Sequence, residues 1–237
     1  MRGGRGPGAK SRCRFFLTSW SPLEPERHRM RGAPLNDVRV VRIAVISGSP
    51  VPDSRTLSFA AAVAGRLEAQ AFEVALIDLY VLPADEVLRG PGGAGPVRAA
   101  LAAVERADGV VVATPIHHAA YSGILKAFLD LLPRAALAGK VVLPLAVGGS
   151  SAHALAIDYA LRPVLVSLGA AHVTRGHLLL CTEIDRAADG TPRLDWDAER
   201  RLEEVLGEFV LGARLHARHE AGTPATLDGG MVLEIKS

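Results

Sequence analysis

Residues 38–69 have the sequence VRVVRIAVISGSPVPDSRTLSFAAAVAGRLEA, and this stretch decides the fold. Residues 38–47 contain a β-branched apolar run that stops at Gly48-Ser49-Pro50, which predicts a buried first strand. Residues 56–69 predict a helix, because apolar side chains recur at helical spacing along one face. The stretch is therefore predicted to be a strand, a short loop and a helix.

The rest of the chain continues this alternation of strand and helix. The pattern predicts further strands over residues 72–77, 109–113, 140–147 and 172–180, and further helices over residues 97–106, 121–132, 152–168 and 195–215. Pro163 is expected to kink or divide its helix, Asp195 is a candidate N-cap, and the glycine-rich residues 82–96 predict a loop. Five strands that alternate with five helices indicate an α/β fold with a doubly wound parallel sheet.

The basic character of the chain is confined to its N-terminal part. Of the 27 basic and 25 acidic residues, eight and two respectively lie within residues 1–36, which leaves 19 basic and 23 acidic residues in the remainder. A body with this charge gives no electrostatic reason to expect nucleic-acid binding. Cys13 and Cys181 are far apart, which favours a reducing, cytoplasmic environment over a disulfide. No run of about 18 apolar residues predicts a membrane-spanning helix.

Three regions are expected along the chain. Residues 1–37 are rich in Gly, Pro, Arg and Ser, and they predict a disordered basic extension. We interpret it either as a targeting arm or as sequence upstream of a true start at Met30. Residues 38–217 are predicted to form the folded domain, and residues 218–237 a loose C-terminal tail.

Ligands of doubly wound folds bind beyond the carboxyl ends of the strands, which directs attention to three loops. The loop after the first strand offers hydroxyls at Ser49, Ser54 and Thr56, the Arg55 guanidinium and free helix N–H groups. Such groups could converge on a phosphate, although ordinary helix capping is the alternative interpretation. The loop is neither GxxxxGK[ST] nor GxGxxG, which disfavours ATP and Rossmann-type dinucleotide binding.

The loops after the third and fourth strands suit a flat ring. The third-strand loop is apolar and carries an aromatic residue, which favours backbone and stacking contacts. Its His117-His118 pair predicts no metal site, because adjacent side chains project in different directions and no third ligand has suitable spacing. In the fourth-strand loop, Gly148-Gly149 would let the backbone approach a ligand closely, whereas Ser150 could equally be a simple cap.

Three blocks of sequence together resemble the NADPH-dependent FMN reductases. They are GSPVPDSRT, ATPIHHAAYSGILKAFLDLLP and GKVVLPLAVGGSSAHALAIDYALRPVLVSLGA, and the likeness covers about residues 42–180. Within the family, the chain is most similar to the reductase of two-component alkanesulfonate monooxygenase systems. The resemblance implies a flavodoxin-like fold, with a five-stranded parallel sheet in the order 2-1-3-4-5 and helices on both faces.

The resemblance also implies which residues bind the cofactor. Three groups of positions match a phosphate-binding loop, a stretch against the isoalloxazine ring, and a loop on the other side of that ring. They are, in that order, Ser49, Ser54, Arg55 and Thr56; Pro115, Ile116, His117 and His118; and Gly148, Gly149 and Ser150. Tyr121 matches an extra helix residue that is associated with a helix bulge and subunit contacts.

Two positions depart from the family pattern. Val51 stands where the family commonly has Arg, so one phosphate contact is expected to be missing and FMN to bind loosely. His117 stands where the family commonly has Tyr, which is expected to alter stacking on the ring or the flavin potential.

The activity implied by the resemblance is hydride transfer from NADPH or NADH to FMN, with the chemistry carried by the flavin and no catalytic side chain required. Reduced FMN is expected to supply a monooxygenase, with sulfonate sulfur acquisition as the setting. The chain is expected to form a homodimer or homotetramer, without nucleic-acid or membrane partners. Three alternatives stay open: an FMN-bound quinone or azo reductase, a flavodoxin-type electron carrier without NAD(P)H turnover, and a family member that has lost flavin binding.

Overall fold

The computed structural model describes residues 39–186 and 192–222. Residues 1–37, the expected extension, and residues 223–237 of the expected tail lie outside this range. The strands are β1 (Arg42–Ser47), β2 (Glu73–Asp78), β3 (Gly109–His117), β4 (Ala120–Tyr121), β5 (Val141–Gly148), β6 (His172–Val173), β7 (His177–Leu180), β8 (Ile184–Arg186) and β9 (Pro192–Leu194). The helices are α1 (Arg55–Ala69), α2 (Ala84–Arg89), α3 (Pro96–Arg106), α4 (Gly123–Asp130), α5 (Arg162–Ser167) and α6 (Trp196–Gly222).

The central sheet is parallel and runs in the order β2-β1-β3-β5, with β6 and β7 both paired to the outer side of β5. Since β6 and β7 together occupy the place of the fifth predicted strand, the predicted flavodoxin-like order 2-1-3-4-5 is confirmed. The central strands β1, β3 and β5 are almost wholly buried, as their continuous apolar runs indicate.

The edge strand is divided because of Pro144 in β5. The N–H of Thr174, just after β6, donates to the Val142 carbonyl at 2.9 Å, so that side of β5 faces the edge. Pro144, two residues further along the same side, has no N–H with which to continue the ladder. The pairing resumes at Leu145 and His177, after Gly176 has passed close to the Pro144 carbonyl.

Helices cover both faces of the sheet, as predicted. Helices α1 and α6 pack on one face, where Phe59 and Phe209 are each 1% exposed or less. Helices α3, α4 and α5 pack on the other face, around Phe128. Full burial of each of these rings contributes roughly 1.5–3 kcal/mol to the free energy of folding. The two layers hold the carboxyl ends of the strands in a fixed arrangement.

Three helical predictions differ from the structure. Residues 82–96 are not all loop, because α2 begins after Pro83 with acidic residues in its first turn and Arg89 in its last, an order that suits the helix dipole. The predicted helix 152–168 is a short 3₁₀ turn, a π-helical turn at Ile157–Leu161, and then α5, with Pro163 in the first turn of α5. Helix α6 continues to Gly222, beyond the predicted end of the helix and into the expected tail.

The predicted cap of the last helix is confirmed, since the Ala198 N–H donates to Asp195 Oδ1 at 2.8 Å. Cys181 carries a free thiol. Within the two described ranges, no helix has both the length and the apolar character needed to cross a membrane.

Candidate functional site

The three loops singled out in the sequence meet at the carboxyl edge of the sheet. Ser47 of β1 lies beside Ala113 of β3, and Pro115 of β3 lies beside Val147 of β5. The Gly48 N–H donates to the Ala113 carbonyl at 2.7 Å. We name the segments the β1–α1 loop (residues 48–54), the β3–β4 hairpin (β3, β4 and the two residues between them) and the β5 loop (residues 148–151).

The N-terminus of α1 is suited to an anion. Ser54 is the N-cap, and its Oγ accepts a hydrogen bond from the Leu57 N–H at 3.0 Å. Within residues 39–186 and 192–222, the backbone N–H groups of Arg55 and Thr56 have no acceptor, and the exposed Arg55 guanidinium has no ion-pair partner. No acidic residue lies in the first turn of α1 to offset the positive end of the helix dipole.

The other two predicted residues of this loop, Ser49 and Thr56, are buried. Ser49 is 2% exposed, and its hydroxyl accepts from the Val51 N–H and donates to the Val51 carbonyl, both at 3.2 Å. Thr56 is equally buried, at 2% exposure. Val51 is 54% exposed and presents an apolar side chain at the position where the family pattern commonly has Arg. Arg55 is therefore the one cation of residues 48–56.

The β3–β4 hairpin places two histidines at the surface of the site. Strand β3 continues four residues past its predicted end, and β4 returns antiparallel, with Ile116 beside Tyr121 and His117 beside Ala120. His118 and Ala119 connect the strands with φ angles of 50° and 61°, which is the type I′ geometry. Both histidine side chains are exposed beside Pro115.

The helix bulge predicted at Tyr121 is wrong. Tyr121 lies in β4 and is partly buried, and burial raises the pKa of its hydroxyl. The regular helix α4 begins two residues later, at Gly123. A π-helical turn does occur, but at Ile157–Leu161, and it packs beside β4. The side chains of Ala156 and Ile157 are buried in one cluster with Ile116, so this turn packs against the hairpin.

The β5 loop approaches its neighbours closely at one glycine. A Cβ at Gly148 would lie 2.7 Å from His153 Nδ1, whereas a Cβ at Gly149 would meet no atom within 4 Å. Ser150 is a cap, because its Oγ accepts from the Ala152 N–H at 3.3 Å. His153 was not singled out from the sequence, and its Nδ1 is buried without a hydrogen-bond partner among the described residues.

Two buried hydroxyls, Thr114 and Ser122, were also not predicted as site residues. Thr114 is fully buried and Ser122 is 3% exposed, and hydrogen bonds connect them to both the β3–β4 hairpin and the β1–α1 loop. An N-cap signal marks Ser122, because it precedes the apolar residues of α4. That signal was hidden when the helix was predicted to begin at residue 121.

A buried carboxyl group lies beside the β1–α1 loop. Asp78 ends β2 next to Ser47, is 6% exposed, and accepts the Tyr80 N–H on Oδ1 at 3.1 Å. Burial raises the pKa of Asp78, the Tyr80 N–H opposes this rise, and the charge of Asp53 adds to it. The carboxyl edge thus combines a cationic helix end with a buried carboxyl whose pKa is raised.

The residues present fit a phosphorylated aromatic cofactor. The α1 N-terminus offers a guanidinium, two free N–H groups and a capping hydroxyl to a phosphate. The hairpin and the β5 loop offer an exposed surface beside it, at His117 and His118 and at Gly149 and Ser150. A phosphate site beside a surface for a flat ring is the requirement of FMN.

Comparisons with known proteins agree with this arrangement. The family described as NADPH-dependent FMN reductase matches residues 41–184. The FMN reductase (NADPH) of Escherichia coli is 42% identical over 136 residues, which cover 57% of this chain and 71% of that protein. The FMN reductase (NADPH) of Pseudomonas putida is 38% identical over 168 residues, which cover 70% of this chain and 85% of that protein.

Among solved structures, the apo form of the NADH:FMN oxidoreductase EMOB matches with a TM-score of 0.66 and 39% identity. The match covers 73% of this chain and 89% of that chain. With a family match that spans more than half of the sequence, the chain belongs to the NADPH-dependent FMN reductase family.

Proposed function

We propose that this NAD(P)H-dependent FMN reductase takes up free FMN as a substrate and supplies reduced FMN to a partner monooxygenase. The observation that carries the proposal is the α1 N-terminus, where a single exposed cation, Arg55, faces solvent beside two free N–H groups. A phosphate held at an exposed surface by one guanidinium and a helix end is attracted without being enclosed, which suits release of the product.

In the proposed site, one set of residues binds the phosphate of FMN and another set contacts its ring. Arg55, the Ser54 hydroxyl and the Thr56 N–H bind the phosphate, and the residues from Pro115 to His118 contact one side of the ring. We expect backbone N–H groups of the β5 loop to donate to polar atoms at the ring edge. When bound, FMN accepts a hydride from the nicotinamide of NADPH or NADH, and no side-chain nucleophile is needed.

The partner and the setting are proposed from the sequence resemblance. The three sequence blocks quoted above are most similar to the reductases of alkanesulfonate monooxygenase systems, and we therefore propose sulfonate sulfur acquisition in the cytoplasm. A homodimer or homotetramer is proposed on a further observation. Leu155, Tyr159 and Val166 are 60%, 80% and 55% exposed, and large exposed apolar side chains close together in sequence commonly contact other subunits.

A bound-flavin quinone or azo reductase is the second candidate, because it would use the same three loops. Oxidation of NADPH by the protein as purified, with any bound flavin retained, under air and with increasing free FMN, distinguishes the candidates. We expect a rate that rises and saturates with FMN. A rate independent of added FMN, but dependent on a quinone, would support the second candidate. Flavin binding without any NADPH oxidation would indicate an electron carrier.

The phosphate assignment is tested by Arg55→Ala. Loss of a charge-assisted hydrogen bond is expected to weaken FMN binding roughly 10- to 100-fold and to leave riboflavin binding unchanged, because riboflavin has no phosphate. Arg134→Ala is the matched control, since it removes the same charge from an exposed position at the opposite edge of the sheet. Equal FMN affinities in the Arg55→Ala variant and the wild type would refute the assignment.

A further inference from the structure

Ser122 connects the two ends of the proposed flavin site through buried hydrogen bonds. Its hydroxyl donates to the Gly48 carbonyl of the β1–α1 loop, across 74 residues of sequence, and accepts from the Leu125 N–H of α4 at 3.3 Å. Its backbone N–H donates to Thr114 Oγ1 at 3.1 Å. The Thr114 hydroxyl in turn donates to the Pro115 carbonyl at 3.0 Å.

On the side of the β1–α1 loop, Gly48 is tightly packed against its neighbours. The Gly48 N–H is bonded to the Ala113 carbonyl, and a Cβ at Gly48 would lie 2.9 Å from Leu125 Cβ. Gly48 is therefore held between the end of β3 and the start of α4, with its carbonyl directed at Ser122. A hydroxyl has only one proton to donate, so the Ser122–Gly48 bond uses the whole donor capacity of this side chain.

We propose that Ser122 is a positioning residue that sets the preference of this enzyme for FMN over riboflavin. It does so by holding the phosphate end of the site, on the β1–α1 loop, at a fixed place relative to the β3–β4 hairpin. The inference rests on the proposed function, since it requires a phosphate at the α1 N-terminus. Ser122 itself touches no flavin atom and acts through Gly48 and Thr114.

The physical reason is the cost of ordering a loop on binding. FMN must contact the hairpin and the α1 N-terminus at the same time. If the loop is already ordered before binding, no conformational entropy is lost in fixing the distance between them. Without the Ser122–Gly48 bond, the β1–α1 loop loses its hydrogen bond to the start of α4, and part of the phosphate contact is lost with it. Riboflavin uses only the ring end, so its affinity depends little on that spacing.

The test measures the dissociation constants of FMN and riboflavin by quenching of flavin fluorescence, in the full-length protein without NADPH. In Ser122→Ala, we expect the preference for FMN over riboflavin to fall about tenfold, the size of one lost neutral hydrogen bond in a buried site. Ser122→Thr keeps the hydroxyl and the cap, and we expect it to retain the preference. If Ser122→Ala does not fold, Ser122→Gly removes the hydroxyl at a smaller cost in capping and carries the same test.

Asp195→Ala is the matched control for loss of a helix cap, because it removes the N-cap of α6 without touching the three loops. We expect it to lower stability and to retain the flavin preference. If Ser122→Ala weakens the binding of both flavins equally, its role is only structural and the inference fails. If the wild type itself binds FMN and riboflavin equally, the proposed phosphate site fails and the inference fails with it.

Discussion

Replacement of Gly148 by alanine would put a methyl group into space that His153 occupies. The added Cβ would lie 2.7 Å from Nδ1, 3.2 Å from Cγ and 3.1 Å from Cβ of His153. The imidazole atoms can move by rotation about the side-chain bonds, but His153 Cβ can move only with its backbone. Overpacking of this kind costs roughly 1–3 kcal/mol, so we expect Gly148→Ala to lower the free energy of unfolding by about 2 kcal/mol.

Urea denaturation followed by circular dichroism measures this cost, and the corresponding fall in Tm is about 4–8 °C for a domain of this size. The cost is expected to drop below about 1 kcal/mol in the His153→Ala background, where the ring atoms are gone. Gly149→Ala is the control, because nothing lies within 4 Å of its Cβ, and its effect should stay within about 0.5 kcal/mol. A Gly148→Ala cost that is the same with and without the His153 ring would refute the reasoning.

Three further substitutions test local features. Ala119→Gly should raise stability by about 1 kcal/mol in thermal denaturation, because Ala119 has a φ of 61°; an unchanged Tm would contradict the type I′ turn. Burial lowers the pKa of His177 from its ordinary value of 6.5, and the positive charge of Arg201 adds to this, so the unfolded chain binds the proton more readily. The free energy of unfolding should therefore fall as the pH drops below 6.5. In His177→Gln, the urea midpoint should change less with pH between about pH 7.5 and 5.5, the range in which histidine titrates. Burial raises the pKa of Asp78 above 3.8, so ionisation opposes folding as the pH rises through that value; Asp78→Asn should be more stable than the wild type near neutral pH and no more stable in acid, where both side chains are neutral.

The sheet, and the meeting of the three loops at its carboxyl edge, were predictable from the sequence. Continuous apolar runs define strands that are buried on both faces, and parallel strands bring their carboxyl ends to one edge. The grouping of the three loops follows from these two rules alone. The outer strand was predicted as one segment. The gap after β6 depends on Pro144 in the neighbouring strand β5, and the local sequence around β6 gives no signal for it.

The β3–β4 hairpin could not be predicted locally. His118 and Ala119 give no signal for a type I′ turn, for which Asn-Gly is typical, and β4 has only two residues. Its existence depends on tertiary packing against the π-helical turn. For the same reason, the family pattern led to a helix bulge at Tyr121, whereas the structure has a strand at that position.

The divided outer strand has a consequence for solubility. A long strand at the rim of a sheet exposes an unbroken row of N–H and C=O groups, to which another chain can add as a further strand and begin aggregation. Here that rim consists of two residues in β6 and four in β7, separated where Pro144 cannot donate. At this edge of the sheet, an incoming strand finds no template longer than these two runs. The proline that interrupts the ladder therefore also protects this edge of the sheet against the addition of a further strand.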